Sequence, residues 1–363
     1  MSMTEFSLGD PLAVQRWSTS LAVEAAKKQY FAKFIGTSQD NLIVLKNELH
    51  KGAGEKVTVG LRMKLIAAGI EGDNEIEGHA TGEEALSFFN DALFIDQLRK
   101  GTKSKGKMSE QRVPYNIRKE GRDALSTWWA EEMDEEMFCY LSGARGVGTM
   151  HNATTWTGRA NNTLTAPDSA HIMYARTAGV AATGKADLEN TDVLVLSDIE
   201  RLVAFAETVD PMIQPFMING EKKFVFLMHT FQAFQLRTST TENDWMDIHK
   251  ATDRGKGALM YKNALGEYAD VILHKHRNCI TFDDYGSGSN LNAARSLFLG
   301  AQAGLIAYGQ NSSPQRYKWH EEFDDRGNAL AITAGTIFGI KKSRYNSKDF
   351  GVVAFDAYQP TVL

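Results

Sequence analysis

The sequence predicts an α+β fold, and three observations predict it. An apolar stripe at helical spacing runs through residues 114–142. Residues 55–65 alternate apolar and polar side chains, and residues 86–99 read as a second strand of the same kind. The chain carries 31 glycines against 7 prolines, and glycine-punctuated apolar segments suit many strands joined by tight turns.

In chain order, residues 13–34 predict a helix. Asp10 and Pro11 open it in cap-then-proline order, Val14, Trp17, Leu21, Ala25 and Phe31 form its stripe, and Gly36 closes it. A terminal helix needs a dock, on its own domain or on a neighbouring subunit. The strands 55–65 and 86–99 flank a glycine- and acid-rich stretch, Ala68 to Glu84, and read as a long antiparallel arm. An isolated hairpin is marginal in water, so an arm that projects calls for another chain to cover it. Val57, Val59, Leu61, Leu86, Phe88 and Phe94 are the apolar positions it would leave uncovered.

The segment Arg99 to Lys107 carries five cations, Arg99, Lys100, Lys103, Lys105 and Lys107, and reads as a basic linker. The helix 114–142 follows, with Ile117, Ala124, Leu125, Trp128, Met133, Met137 and Leu141 on its stripe and Gly143 as its stop. Its charges oppose the helix dipole: Arg118, Lys119 and Arg122 sit near the start, and Glu131, Glu132, Asp134, Glu135 and Glu136 toward the end. The expectation is that intermolecular partners compensate them, with the basic linker and the acidic helix end as complementary patches. Residues 143–192 are small, polar and aperiodic. Beyond them a helix is expected at 197–209 capped by Ser197, strands at 223–228, 269–276 and 349–356, and a helix within 229–250.

Composition narrows the function. The chain has 363 residues, a formal charge of −5, 43% apolar and 10% aromatic residues, enough for a large core and no basic surplus for nucleic acid. Cys139 and Cys279 make no disulfide framework and fit a reducing compartment. The apolar runs 296–308 and 329–340 fall short of the ~18 residues of a spanning helix, and the first ten residues show no secretory pattern.

Chemical motifs fail on inspection. Gly143-Ala-Arg-Gly-Val-Gly148 follows a helix and lacks the Lys-Ser/Thr ending of a phosphate loop. Asp73 to Glu84 has the acidic spacing of a calcium loop but is flanked by strands. His274 and His276 share a strand face and could offer two ligands to a metal if a third converged. Cys139, among Phe138, Tyr140 and Leu141, reads as a buried small hydrophobe. No assembled active site is visible, and no cofactor is expected.

The run Gly106-Lys-Met-Ser-Glu-Gln-Arg-Val-Pro-Tyr115, continuing into Trp128-Trp129-Ala130-Glu131, resembles the major capsid proteins of the coliphage N-four family of tailed phages. The opening Asp10-Pro-Leu-Ala-Val, Trp17-Ser18, Tyr30 to Phe34, Ile95-Asp96-Gln97, Trp245 to Lys250, Leu297 to Gln302, Gly339 to Lys342 and Asn346 to Val352 fit the same family in the same order.

The resemblance implies a Hong Kong 97-like fold: an N-terminal arm (1–50), an E-loop extension (54–107), a peripheral domain with a long spine helix (108–164), an axial domain (165–320) and a return to the peripheral domain (321–363). It implies a non-enzymatic shell protein that forms hexamers and pentamers around double-stranded DNA in the virion after assembly in the host bacterial cytoplasm. A separate scaffolding protein, a portal and a decoration protein are the implied partners, with no membrane. Two other readings share the residues: an encapsulin-like compartment, and a metal-dependent enzyme built on His274 and His276.

Overall fold

The computed structural model describes residues 11–49, 54–63, 65–78, 81–147, 156–177, 180–209, 212–218, 220–239, 264–309 and 316–360. The expected cap Asp10 lies outside them, as do the side chains of Val14 and Trp17. The fold is α+β. Its helices are α1 (Pro11–Lys28), α2 (Lys107–Gln111), α3 (Ile117–Ser142), α4 (Leu196–Thr208) and α5 (Thr230–Ser239).

Two sheets carry the molecule. The eight-stranded sheet runs in the order Ala264–Tyr268, Val271–Lys275, Glu221–Met228, Leu291–Leu299, Val352–Tyr358 and Ile172–Tyr174, with Phe216–Ile218 and Thr281–Tyr285 paired to its middle strands. It is covered on both faces, so its strands read as continuous apolar runs. Along Glu221–Met228, Phe224, Phe226 and Met228 pack with α4 and α5, and Val225 and Leu227 pack with α3 and the N-terminal segment.

The six-stranded sheet is built on the long strand Ala329–Lys342. Asp96–Lys103 pairs with one of its edges, and Lys318–Asp324 and Gly304–Tyr308 share the other. Ile43–Lys46 and Ile35–Gly36 extend the sheet through Gly304–Tyr308. One face lies on α3, where Trp129 and Leu125 meet Ile332, Ala334 and Phe338.

α3 has 26 residues, about 39 Å at 1.5 Å per residue. Asn116 Oδ1 caps it by accepting the N–H groups of Arg118 and Lys119, and Gly143 closes it at φ 68°.

Three expectations change. The N-terminal helix ends at Lys28 rather than near residue 34, and Phe31–Phe34 form a separate 3-10 turn. Asp134 on α3 causes the break: its two carboxylate oxygens accept the N–H groups of Tyr30 (2.6 Å) and Phe31 (3.0 Å) and start the new turn. The strand 86–99 is two strands, Phe88–Phe94 and Asp96–Lys103, which change partner at Ile95. The basic linker is therefore a sheet strand as far as Lys103. α4 starts at Leu196, and Asp198 Oδ2 accepts the Val195 N–H, so Ser197 is not its cap.

Candidate assembly surface

Among the described residues, the antiparallel hairpin Lys56–Arg62/Phe88–Phe94 pairs with no further strand. Only its root is covered: Val57 and Leu93 sit in a small cluster with Val44, Leu49, Leu305 and Ala307. Val57 is thus buried within its own chain, contrary to the sequence expectation, and Val59, Leu61 and Phe94 are half-buried. Farther out the apolar side chains stand in solvent: Ile66 is 80% exposed, Phe88 65%, Leu65 and Ile76 57% and Leu86 55%.

The root of the hairpin is clamped from two sides. Asn162 Oδ1 accepts the Phe94 N–H at 3.0 Å, and its Nδ2 donates to the Phe94 carbonyl at 2.8 Å, as a strand neighbour would. Asn162 belongs to the tight turn Gly158–Arg159/Asn162–Thr163, whose central residues Ala160 and Asn161 have φ 55° and 60°. α3 holds that turn. Tyr140 Oη accepts the Arg159 N–H (2.6 Å) and donates to the Asn162 carbonyl (2.9 Å). On the other side, Lys341 Nζ pairs with Asp91 and donates to the Ala92 carbonyl at 3.1 Å. Gly339 is required between them, because a Cβ there would collide with the Phe94 carbonyl oxygen.

The acidic end of α3 is not a surface. Glu132, Glu135 and Glu136 are 5%, 7% and 0% exposed. Arg159 Nε donates to Glu136 at 2.7 Å and its Nη2 to Glu132 at 3.0 Å. Burial pushes the Glu136 carboxyl above its usual range, and Arg159 opposes the shift. Glu131 alone of that set is exposed, 3.6 Å from Arg277. At the other end Arg118 pairs with Glu321 (2.9 Å) and Arg122 reaches Glu24 (3.3 Å). Arg118, Arg122, Glu132 and Glu136 are thus compensated inside the chain and Glu135 is buried, so the expected patch of Glu132, Glu135 and Glu136 facing a neighbour is corrected.

The basic set stays at the surface. Arg99, Lys100, Lys105 and Lys107 are exposed; Lys103, 57% exposed, pairs with Asp324. Lys100 Nζ lies over the Trp128 ring at 5.2 Å.

His274 and His276 are not on a solvated strand face. His274 is fully buried against Phe34 and Tyr30, and His276 stacks on Phe138 at 4.9 Å and meets Tyr30 at 4.5 Å. Burial pushes His276 down to about 4. The group beside His274 Nδ1 is the Lys33 ammonium at 3.3 Å, which repels a metal ion. Among the described residues no three His, Cys, Asp or Glu side chains converge to hold a metal, and no helix is long and apolar enough to cross a membrane. Both cysteines are buried, which pushes their thiols up and out of reactive range.

Asn162 and Asp91 lie in no motif, and Lys341 falls within the Gly339–Lys342 run, which assigns it no role. Their roles come from the fold bringing residues 91–94, 158–163 and 339–341 together. The one local signal is the turn at Ala160-Asn161.

Residues 5–361 match the family model described as phage capsid protein. The major capsid protein of Pseudomonas phage KPP25 is 24% identical over 361 residues, with 93% of each chain covered. The solved capsid of Ralstonia phage GP4 superposes with a TM-score of 0.84 at 39% identity over 100% of both chains. The capsid asymmetric unit of cyanophage Pam1 gives 0.71 at 19% identity, covering 92% of this chain and 93% of that one. The chain belongs to the phage capsid protein family. Its clamped hairpin and uncovered apolar row are features of a structural component of a bacteriophage capsid.

Proposed function

We propose that the chain is the major capsid protein that self-assembles, through hexamers and pentamers, into an icosahedral shell enclosing double-stranded phage DNA. The observation that carries this reading is the hairpin: rigid at its root, unpaired along its edges, with Ile66 and Phe88 80% and 65% exposed. An arm of this kind becomes stable when a neighbour covers it, and a closed shell gives every copy such a neighbour.

The element order supports a Hong Kong 97-like division. Residues 1–50 serve as N-terminal arm, 54–107 as extension, 108–164 as peripheral domain around α3, 165–320 as axial domain, and 321–363 as the return to the peripheral domain. The Gly106–Tyr115 run supports a place near the coliphage N-four group. The protein acts as a structural part of the virion rather than as an enzyme. It assembles in the host cytoplasm with a separate scaffolding protein and a portal, with room for a decoration protein.

Electron microscopy of the chain expressed alone and with the scaffold gene of its phage tests this. Hollow spheres, tubes or rings are expected. A dispersed 40.2 kDa species under both conditions overturns it. Particles from infected cells filled with DNA rather than enzyme cargo separate it from the encapsulin-like reading.

A further inference from the structure

Where the long strand Ala329–Lys342 of the six-stranded sheet ends and the chain crosses to Val352–Tyr358 of the eight-stranded one, a lysine and an aspartate are buried together. Lys342 Nζ lies 2.6 Å from Asp349 Oδ2, and the two side chains are 3% and 1% exposed. In Lys103–Asp324, Lys185–Asp284, Lys223–Glu267 and Lys341–Asp91, by contrast, at least one side chain of each pair is 15% exposed or more.

The surroundings fix both partners. Lys342 sits in the ladder across from Gly304. Arg344 pairs across from Asp349 and Tyr345 across from Lys348, in a hairpin turned by Asn346 and Ser347 at φ 51° and 63°. Asp168 Oδ2 accepts the Asp349 N–H at 2.6 Å, and Asp168 Oδ1 lies 2.9 Å from His171 Nδ1. Arg344 Nε stands 2.9 Å from Oδ1, the other oxygen of the Asp349 carboxyl.

Both charges of this pair have left water, which is costly. Burial lowers the Lys342 ammonium and raises the Asp349 carboxyl, although each opposes the other's shift. Both directions favour the uncharged amine and acid. Lys223 goes the opposite way: against its burial, hydrogen bonds to Glu267, Asp270 and Glu221 push it up and keep it an ammonium. A desolvated, uncharged lysine amine is a nucleophile.

We propose that Lys342 and Asp349 join in an amide bond within the chain. Nζ attacks Asp349 Cγ and the N–C bond forms, with negative charge developing on Oδ1 beside the Arg344 guanidinium. One amine proton passes to the Oδ2 hydroxyl, the Cγ–Oδ2 bond breaks, and water leaves. Ammonium and carboxylate have become amide and water, so charge balances and no co-reactant is needed. Fixed geometry replaces an activating group, because groups held in register react as though at roughly 10⁵–10⁸ M. The product removes two buried charges and closes residues 342–349 into a ring at the crossing between the sheets.

The intact mass of the folded full chain tests this, with tandem mass spectrometry of its peptides. The chain is expected to be lighter than its sequence by one water, about 18 Da, with Lys342 joined to Asp349 in one branched peptide. Lys342→Arg keeps a cation but offers no nucleophilic amine, and is expected at its full mass. A folded wild-type chain at its full mass is a plain ion pair and overturns the proposal. So does a water lost at another position, as in a cyclised aspartate, or a loss that persists in Lys342→Arg. The wild-type peptide map decides the question alone where that variant does not fold.

Discussion

At the scale of single residues, the most consequential group is Arg295, 6% exposed within an apolar strand. Its Nε and Nη2 donate to the two Asp356 oxygens at 2.7 Å, and its Nη1 donates to the Ser142 carbonyl at 2.9 Å. Tyr285 Oη donates to the same carboxylate at 2.7 Å. One guanidinium thus neutralises a buried acid and satisfies the end of α3, where the helix dipole favours a cation. Arg295→Ala leaves Asp356 buried without its counter-charge and is expected to cost about 3–5 kcal/mol, measured by denaturant unfolding of the subunit. Arg295→Lys is expected to recover only part, because an ammonium cannot reproduce the fork.

Asp134 sets a pH dependence. Burial raises its carboxyl to about 7 although the Tyr30 and Phe31 N–H groups favour the ionised form. A carboxyl held above its unfolded value keeps its proton in the fold, so its contribution is full below about pH 4 and is lost as pH rises through 7. His276, held down to about 4, runs the other way: its contribution is full above about 6.5 and is lost as pH falls through 4. The two oppose each other between about 4 and 6.5; from there to about 7 the Asp134 loss continues unopposed by His276, in the same direction as that of the buried Glu136 carboxyl and of Asp349 as a free acid. Asp134→Asn keeps an oxygen facing the turn and cannot ionise. Its melting temperature is expected to fall less steeply than that of the wild type between about pH 4 and 7. Equal slopes for the two proteins would refute this.

At the scale of elements, the turn at Gly158–Thr163 decides how the hairpin leaves the body. Asn162→Ala removes both hydrogen bonds to Phe94, at an expected cost of about 1–3 kcal/mol confined to the root. Hydrogen exchange is the measurement: amides 94–97 are expected to exchange faster while those of Glu221–Met228 keep their protection. Uniform acceleration would mean global destabilisation instead.

The sequence reading reached the elements more easily than their joints. Alternation showed the strand at Lys56–Arg62, and helical spacing with Gly143 showed α3 to within three residues at its start. The break at Ile95 was invisible, because Phe94-Ile95-Asp96 is as strand-like as its flanks and the change of partner is made by residues more than 200 positions later. The acids of α3 read as a solvated face because charge on a helix usually is one. Their burial depends on Arg159, which arrives from a segment without periodicity. Arg295 and Asp356 did leave a trace: each is the lone charge in a strand buried on both faces, and lone charges in such strands call for each other.

At the scale of the whole molecule, the described residues form one sheet covered on both faces, one covered on its α3 face, and one projecting limb. Phe88→Ser on that limb is expected to change subunit stability by less than about 0.5 kcal/mol, since the ring already faces water. If a neighbour covers the ring in the particle, as the shell reading requires, the same change is expected to forfeit about 1.5–3 kcal/mol of burial per copy. Paired measurements of subunit unfolding and particle yield check this, and a loss in the first without the second would contradict it.

The pairing of Asp96–Lys103 with Ala329–Lys342 reaches into synthesis. On the ribosome the limb emerges more than 200 residues before the strand that fixes its base. Until then the nascent chain carries an arm it cannot aim, and neighbouring nascent chains on one message cannot polymerise through it. On the proposed shell reading, the arm is aimed only once Ala329–Lys342 has paired with Asp96–Lys103, so closure of that sheet precedes assembly.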